Sequence, residues 1–272
     1  MGIVNVNDDS FSGDGTLNIS DALAIARRQV AAGADIIDVG AESARTNRQA
    51  VSVEEEIRRF NDLLERWEEV TDGLKPRDAD QIWPPVLSVN TWRAEVVAAI
   101  LPNRNVELLN DMGGLPDARN ARLCAEHGAA LLIMHSVGEP KVPHFQQQWT
   151  DVMGEMERFF AEKLELAREA GLSSEAVILD PGIDFAKQRD DNLTVLRELA
   201  RLDKFDRPLL VPVSRKTVIG EVLGLPEPAD RDAGTIACIS ASMCGGARIF
   251  RVHQVEAAWQ AVKMLHALRA DA

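Results

Sequence analysis

Cysteine is scarce in this chain, and none of it is arranged for chemistry. The three thiols, Cys124, Cys238 and Cys244, are odd in number and lack C-x-x-C spacing. That argues against a disulfide framework or a zinc ribbon, and for reduced thiols packed inside a cytoplasmic protein. The five histidines include no H-x-H or H-x-x-x-H pair, so a zinc site has no signature either. G-x-G-x-x-G, the Walker A run and G-x-S-x-G are all missing, which counts against dinucleotide, nucleoside-triphosphate and serine-hydrolase chemistry. No apolar run is long enough to span a bilayer, and MGIVNV opens directly into a strand without a basic leader. Positive charge is also in short supply. Thirty Lys and Arg against 43 Asp and Glu leave a net charge of −13, which disfavours nucleic acid or an anionic membrane as partner. A small anionic substrate remains compatible, because a few local cations can dominate inside a cleft.

What is present is a repeat. Eight times a short apolar run is followed by an amphipathic helical stretch, and 272 residues with 46% hydrophobic content suit one (β/α)8 barrel over residues 1–272. The expected strands are Gly2–Val6, Asp35–Val39, Val86–Val89, Val106–Leu109, Ala129–Met134, Ala176–Leu179, Pro208–Val213 and Arg248–Val252. The expected helices cover about 20–32, 53–67, from 93, from 117 through 126, 149–170, 191–201, from 216, 233–244 and 254–269. Asn18 or Ser20 is the candidate cap of the first, and Ser52 with Glu55 reads as a capping box for the second. Glu54-Glu55-Glu56 reads as a solvated helix start, and Trp149 and Trp259 read as helix-packing residues. An open doubly wound sheet would explain the alternation as well, but eight units favour closure.

A buried parallel strand is apolar throughout, so a polar residue at its carboxyl end needs a reason. Here the runs end at Asn5, Asp38 (with Glu42 beyond), Asn90, Asn110, His135, Asp180, Ser214-Arg215-Lys216 and Arg251-Val252-His253. In a barrel those ends converge on one mouth, where active sites lie. The Ser-Arg-Lys run offers hydroxyl, guanidinium and ammonium donors where a helix begins; because cations oppose the helix dipole there, the placement calls for an anion. Alternation sends Arg251 and His253 to one face, ready to grip a phosphate or pyrophosphate. Asp180, followed by Pro181-Gly182, is a buried carboxylate able to accept from the amidine-like edge of a heterocycle. Asn90 and Asn110 combine donor and acceptor in one side chain, as reading such a ring requires.

Taken in order, these segments resemble the dihydropteroate synthase family along nearly the whole chain. The resemblance is carried by Gly2-Ile3-Val4-Asn5-Val6 through Asp9-Ser10-Phe11-Ser12, and by Gly33 to Gly40 with Glu42-Ser43 and Arg45. Leu109-Asn110-Asp111, Met134-His135, Leu179-Asp180-Pro181-Gly182, Ser214-Arg215-Lys216 and Arg251-Val252-His253 complete it. It implies condensation of 6-hydroxymethyl-7,8-dihydropterin pyrophosphate with 4-aminobenzoate, releasing pyrophosphate with Mg2+ assistance, in a homodimer formed through the outer helices of the later units. By the same likeness Asn90, Asn110, Met134, Asp180 and Lys216 hold the pterin, and Asn5, Arg251 and His253 the pyrophosphate, with Asn5 near the metal. Phe11, Arg45, Phe185 and Thr217 line the aminobenzoate site, and Asp180, Lys216 and Arg251 carry the chemistry.

The chain departs from the family pattern in its substrate loops. Ser88-Val89-Asn90-Thr91 replaces Ser-x-Asp-Thr, Asn7-Asp8-Asp9 replaces Thr-Pro-Asp, and Ser43-Ala44-Arg45-Thr46 replaces Ser-Thr-Arg-Pro. Gly-x-Gly-Phe-Gly-Lys becomes Gly182-Ile183-Asp184-Phe185-Ala186-Lys187. The favoured expectation is an active synthase with an altered response to sulfonamides, which mimic aminobenzoate. The alternatives are a non-catalytic or regulatory pterin-binding paralogue and a pterin-dependent methyltransferase-type domain.

Overall fold

Strand and helix alternate through the computed structural model, which describes residues 1–7, 15–42, 50–103, 105–138, 140–142 and 146–269. The order is β1 (Gly2–Asn5), α1 (Ile19–Ala31), β2 (Ile36–Gly40), α2 (Val53–Leu64), β3 (Val86–Asn90), α3 (Ala94–Ile100), β4 (Val106–Asp111) and α4 (Arg119–His127). It continues with β5 (Ala130–Met134), α5 (Val152–Glu169), β6 (Val177–Asp180), α6 (Arg189–Arg197), β7 (Leu210–Val211), α7 (Thr217–Leu223), α8 (Asp232–Cys244), β8 (Ile249–Phe250) and α9 (Val255–Arg269). Strands β1 to β6 form one parallel sheet in chain order, and β7 pairs with β8. Single bridges, Leu179 with Leu209 and Gly2 with Val252, join the two sheets at both seams. The fold is a (β/α)8 barrel with a continuous ladder over six strands and a thin seam on either side of the last two.

The last two strands are shorter than their apolar runs. Pro208 has no amide hydrogen to give the ladder, and the Val213 carbonyl turns instead to the Lys216 N–H at 3.3 Å. Arg248 and Ile249 both donate to the Leu209 carbonyl, which uses two residues of one strand against one of its neighbour. Helix starts follow local caps. Asn18 accepts from Ser20 and Asp21 N–H, and Asp151 from Gly154 N–H, so α5 begins after Trp149. Ser52 accepts from Glu55 N–H, yet the reciprocal half of the expected box gives way to ion pairs of Glu55 with Arg58 and Arg59. Short 3-10 segments, Trp67–Val70 and Leu199–Phe205, take the ends expected as α-helix.

Strand periodicity decides what faces the axis. Ile37, Val39, Leu87, Val89, Leu109, Leu131, Ile133 and Leu179 point outward and share one cluster with helix residues such as Phe60, Val97 and Phe160. Each such side chain contributes about 2 kcal/mol by leaving water. The alternate positions fill the interior: Ile36, Leu108, Leu132, Met134 and Leu210 form a second cluster, with Val86, Ile178 and Ile249 packed against it. Two residues further along the same strands, the same inward face carries Asp38, Ser88, Asn110, Asp180 and Arg251. The polar mouth is thus the apolar core continued by one strand period. Among the described residues no helix is long and apolar enough to cross a membrane.

Candidate active site

Asp38 is the organising side chain of the mouth. Its fully buried carboxylate accepts from Ser88 Oγ at 2.6 Å on one oxygen. The other oxygen accepts from Arg251 Nε at 2.7 Å, Asn110 Nδ2 at 3.0 Å and Asn90 Nδ2 at 3.4 Å. Four strands, β2, β3, β4 and the end of β8, are therefore tied at one carboxylate. A buried charge of this kind is tolerable only because an arginine pairs with it and several donors saturate it. Each amide gives one N–H of its Nδ2 to Asp38, which turns its carbonyl oxygen away from that carboxylate.

Asp180 ends β6 on the same inward face, beside Met134 in register. One of its oxygens accepts from Gly182 N–H at 2.7 Å. Burial pushes its carboxyl up to about 6, against the pull of Lys216, Lys187 and Arg251. Lys216 is lowered by burial, while Asp184 and Asp180 favour its charged form. Its Nζ donates to the Ile183 carbonyl at 3.0 Å and lies 4.7 Å from the centre of the Phe185 ring.

A second lysine, Lys187, anchors the loop after β6. It bonds the carbonyls of Gly182 and Phe185 at 3.0 and 3.1 Å and His135 Nδ1 at 2.8 Å. Burial holds Lys187 down to about 7, and burial with the Lys187 charge holds His135 down to about 2. His135 is thus neutral, with Nδ1 accepting and the proton assigned to Nε2. Gly182 sits at φ 64°, and a Cβ there would lie 2.1 Å from the His135 carbonyl, so only glycine fits this turn. Trp149 contributes more than helix packing: its Nε1 donates to the Ala186 carbonyl at 2.7 Å.

The anion corner differs from the sequence expectation in two respects. Ser214 Oγ and His253 Nδ1 are 2.8 Å apart, and Arg251 is tied to Asp38. Arg215 does not join them. At φ 59° its guanidinium pairs with Asp232 at the start of α8, at 2.7 and 2.9 Å. The anion that the helix start called for is supplied by the protein itself: Asp184 accepts from Thr217 and Val218 N–H. Asn5 closes β1 in register with Gly40, which is in turn in register with Asn90. A Cβ on Gly40 would stand 3.8 Å from Asn5 Oδ1, so the missing side chain leaves space beside that oxygen. Phe11 and Arg45 lie outside the described residues.

Several residues were not assigned their structural parts from sequence. Asp38, Ser88, His135 and Lys187 were visible as motif letters, but nothing in a linear pattern shows which carboxylate holds which amide. Glu56, read as solvated, is buried against Arg93 at 2.5 Å, because α2 turns that face onto the loop after β3. Glu42 belongs to the same clamp, pairing with Arg93 at 2.7 Å and with Lys141 at 2.8 Å. Cys124 is buried as expected and Cys238 half-buried, whereas Cys244 is exposed because it ends α8. A surface groove of about 510 Å³ lies at the amino end of β6, remote from these side chains, and has no part in the site.

Comparison with known proteins agrees with the geometry. The family model described as "Pterin binding enzyme" matches residues 1–253. The dihydropteroate synthase of Synechocystis sp. is 37% identical over 270 residues, covering 98% of this chain and 89% of that protein. The Yersinia pestis dihydropteroate synthase, solved with a sulfonamide drug complex, superposes with a TM-score of 0.88 at 33% identity, covering 100% of this chain and 94% of the other. The Xanthomonas albilineans enzyme, solved in complex with 7,8-dihydropteroate, gives 0.82 at 32% identity over 99% and 93%.

Proposed function

The chain belongs to the dihydropteroate synthase family of pterin-binding enzymes, and from that premise we infer how its own residues divide the reaction. It is a transferase of folate biosynthesis that joins 6-hydroxymethyl-7,8-dihydropterin pyrophosphate to 4-aminobenzoate and releases pyrophosphate. The observation that carries the residue assignment is the acceptor wall. With one N–H of each amide held by Asp38, Asn90 and Asn110 turn their carbonyl oxygens away from it as acceptors, and Asp180 adds a carboxylate. A pterin offers the complementary edge, a run of ring and exocyclic N–H donors. Lys216 supplies an ammonium donor for an acceptor atom of the ring, and Met134 gives the ring an apolar floor.

The chemistry follows from charge. The bond from the pterin methylene to the pyrophosphate oxygen breaks with its electron pair leaving on oxygen. The aniline nitrogen then forms the new C–N bond and gives up a proton. Ionised Asp180 stabilises the positive charge spread over the pterin, and Arg251 with His253 stabilises the departing anion. Arg251 enters this role already oriented, because Asp38 holds its Nε. Phe185 and Thr217, on either side of Lys216, are assigned to the aminobenzoate, together with Phe11 and Arg45 by family likeness.

Mg2+ fits a site of this kind. A hard cation bound through substrate phosphates and water needs few protein oxygens, and Asn5 offers one where Gly40 leaves space. When bound it would neutralise part of the charge on the leaving group. We read residues 1–272 as one domain, since a single apolar cluster runs from Val4 to Ala258. The half-exposed Val222 and Leu223 on α7 support a homodimer through the later helices, and three unpaired thiols support a cytoplasmic location. The direct test is an assay with purified protein, the pterin pyrophosphate, 4-aminobenzoate and Mg2+. Pyrophosphate release that requires aminobenzoate is expected, and pterin binding without release contradicts the reading.

A further inference from the structure

The loop Gly182–Lys187 has three residues in the left-handed region, and two of them are not glycine: Asp184 at φ 67° and Ala186 at φ 50°. A side chain is strained there, although aspartate tolerates it better than most because its carboxylate finds partners nearby. Asp184 finds partners on two helices. Its Oδ2 accepts from Thr217 N–H at 2.5 Å, and its Oδ1 from Val218 N–H at 3.3 Å and from Asn192 Nδ2 at 3.1 Å. Its own N–H donates to Asn192 Oδ1 at 2.8 Å, which closes a two-way clamp with α6. Helix α7 has no side-chain cap of its own, since Lys216 stands at its N-cap with its side chain engaged elsewhere. The cap comes from a loop 33 residues earlier.

The neighbours of Asp184 explain why the clamp bears on the reaction. The carbonyl just before it, on Ile183, holds Lys216 Nζ, and the ring just after it, on Phe185, lies under the same ammonium. Lys216 immediately precedes the helix that Asp184 caps. The strap therefore fixes both ends of one contact: the loop that holds the ammonium, and the backbone from which the lysine extends. We propose that Asp184 is a positioning residue, strapping the β6–α6 loop to the start of α7 and so aiming Lys216 into the pterin pocket with Phe185 held beside it at the aminobenzoate end. The proposal rests on the synthase reading above and adds to it a residue that touches neither substrate.

The clamp has an electrostatic side. Lys216 is faced by the carboxylates of Asp184 and Asp180 and by the cations Arg251 and Lys187. Asp184 is the foremost influence keeping its ammonium charged against burial. Removing that charge while keeping an acceptor separates positioning from electrostatics.

The test compares Asp184→Gly with Asp184→Asn. Glycine relieves the left-handed strain but removes the cap, so the melting temperature should change little. Loss of the strap should weaken calorimetric binding of 7,8-dihydropteroate about tenfold to a hundredfold, and lower kcat/KM for the pterin pyrophosphate in proportion. Asparagine keeps an acceptor, so its affinity should stay near that of the wild type at neutral pH. The basic limb of its binding profile should move to lower pH, because Lys216 loses a facing negative charge. A glycine variant that binds as tightly as wild type overturns the proposal. So does an asparagine variant as damaged as glycine with its basic limb unmoved. If the wild type binds dihydropteroate but turns nothing over, the synthase reading fails while the same binding comparison still reads the strap. No binding by the wild type overturns both.

Discussion

Arg251 donates its Nε to Asp38 Oδ2 across 2.7 Å, joining residues 213 positions apart at the centre of the barrel mouth. The pair is an ion pair that works as a scaffold. The carboxylate that orients the arginine also fixes the amides of Asn110 and Asn90, so anion binding and ring recognition share one support.

Replacing Asp38 with Asn should therefore damage both. The new side chain has one acceptor for four donors and leaves the Arg251 guanidinium without its partner. Breaking a buried pair from one side costs about 3–5 kcal/mol. Urea denaturation should show a loss of that order, and affinity should fall for pterins with and without a pyrophosphate. A variant impaired only towards pyrophosphate-bearing ligands would show that the amides are held by something else.

Asn90 departs from the family's aspartate, and the sequence alone left open whether restoring the carboxylate would help. The structure predicts loss. The Asn90 Nδ2 stands 3.4 Å from Asp38 Oδ2, so Asn90→Asp puts two carboxylates where a donor and an acceptor now meet. Like charges at that distance raise the pKa of one of them. Turnover of Asn90→Asp should fall well below wild type at pH 8 and recover in part on acidification. Activity equal to wild type across the pH range would contradict this account of the amide.

Burial lifts Asp180 from 3.8 to about 6. The folded, unliganded protein then holds a proton that the unfolded chain has released, so stability falls as pH rises through this window. A shift of that size corresponds to about 3 kcal/mol. Asp180→Asn should accordingly stabilise the unliganded protein above pH 6 while abolishing pterin binding. The acid limb of kcat/KM in the wild type should report an apparent pKa near 6. Asp111, lifted to about 6 by its own burial, titrates in the same window, so the difference between wild type and Asp180→Asn isolates the share of Asp180.

Arg251→Ala should weaken the pterin pyrophosphate far more than a pterin lacking that group. Its secondary effect, an unpaired Asp38, should appear as lower thermal stability. Equal losses for both ligands would remove Arg251 from the anion site.

The barrel and its mouth were legible because both are periodic. Continuous apolar runs mark strands, and a polar residue two positions beyond the last inward apolar side chain marks the site, as with Ile36 and Asp38 or Leu108 and Asn110. What was not legible depends on partners distant in the chain. The basic run at Ser214-Arg215-Lys216 reads as one cationic patch, yet its side chains go to His253, Asp232 and Ile183 respectively. Asp184 reads as a stray charge in a substrate loop, and its partners lie on α6 and α7. Pro208 and Pro212, which stand on either side of β7 and carry no amide hydrogen, limit it for a local reason that could have been read in advance.

A crystal structure of the protein with 7,8-dihydropteroate bound tests the central claim most directly. The account predicts the N–H edge of the pterin on the Asn90 and Asn110 carbonyls and the Asp180 carboxylate, with Asp38 still on Arg251 and touching no ligand atom. A pterin bonded to Asp38 itself, with either amide turned to present its nitrogen, would contradict it.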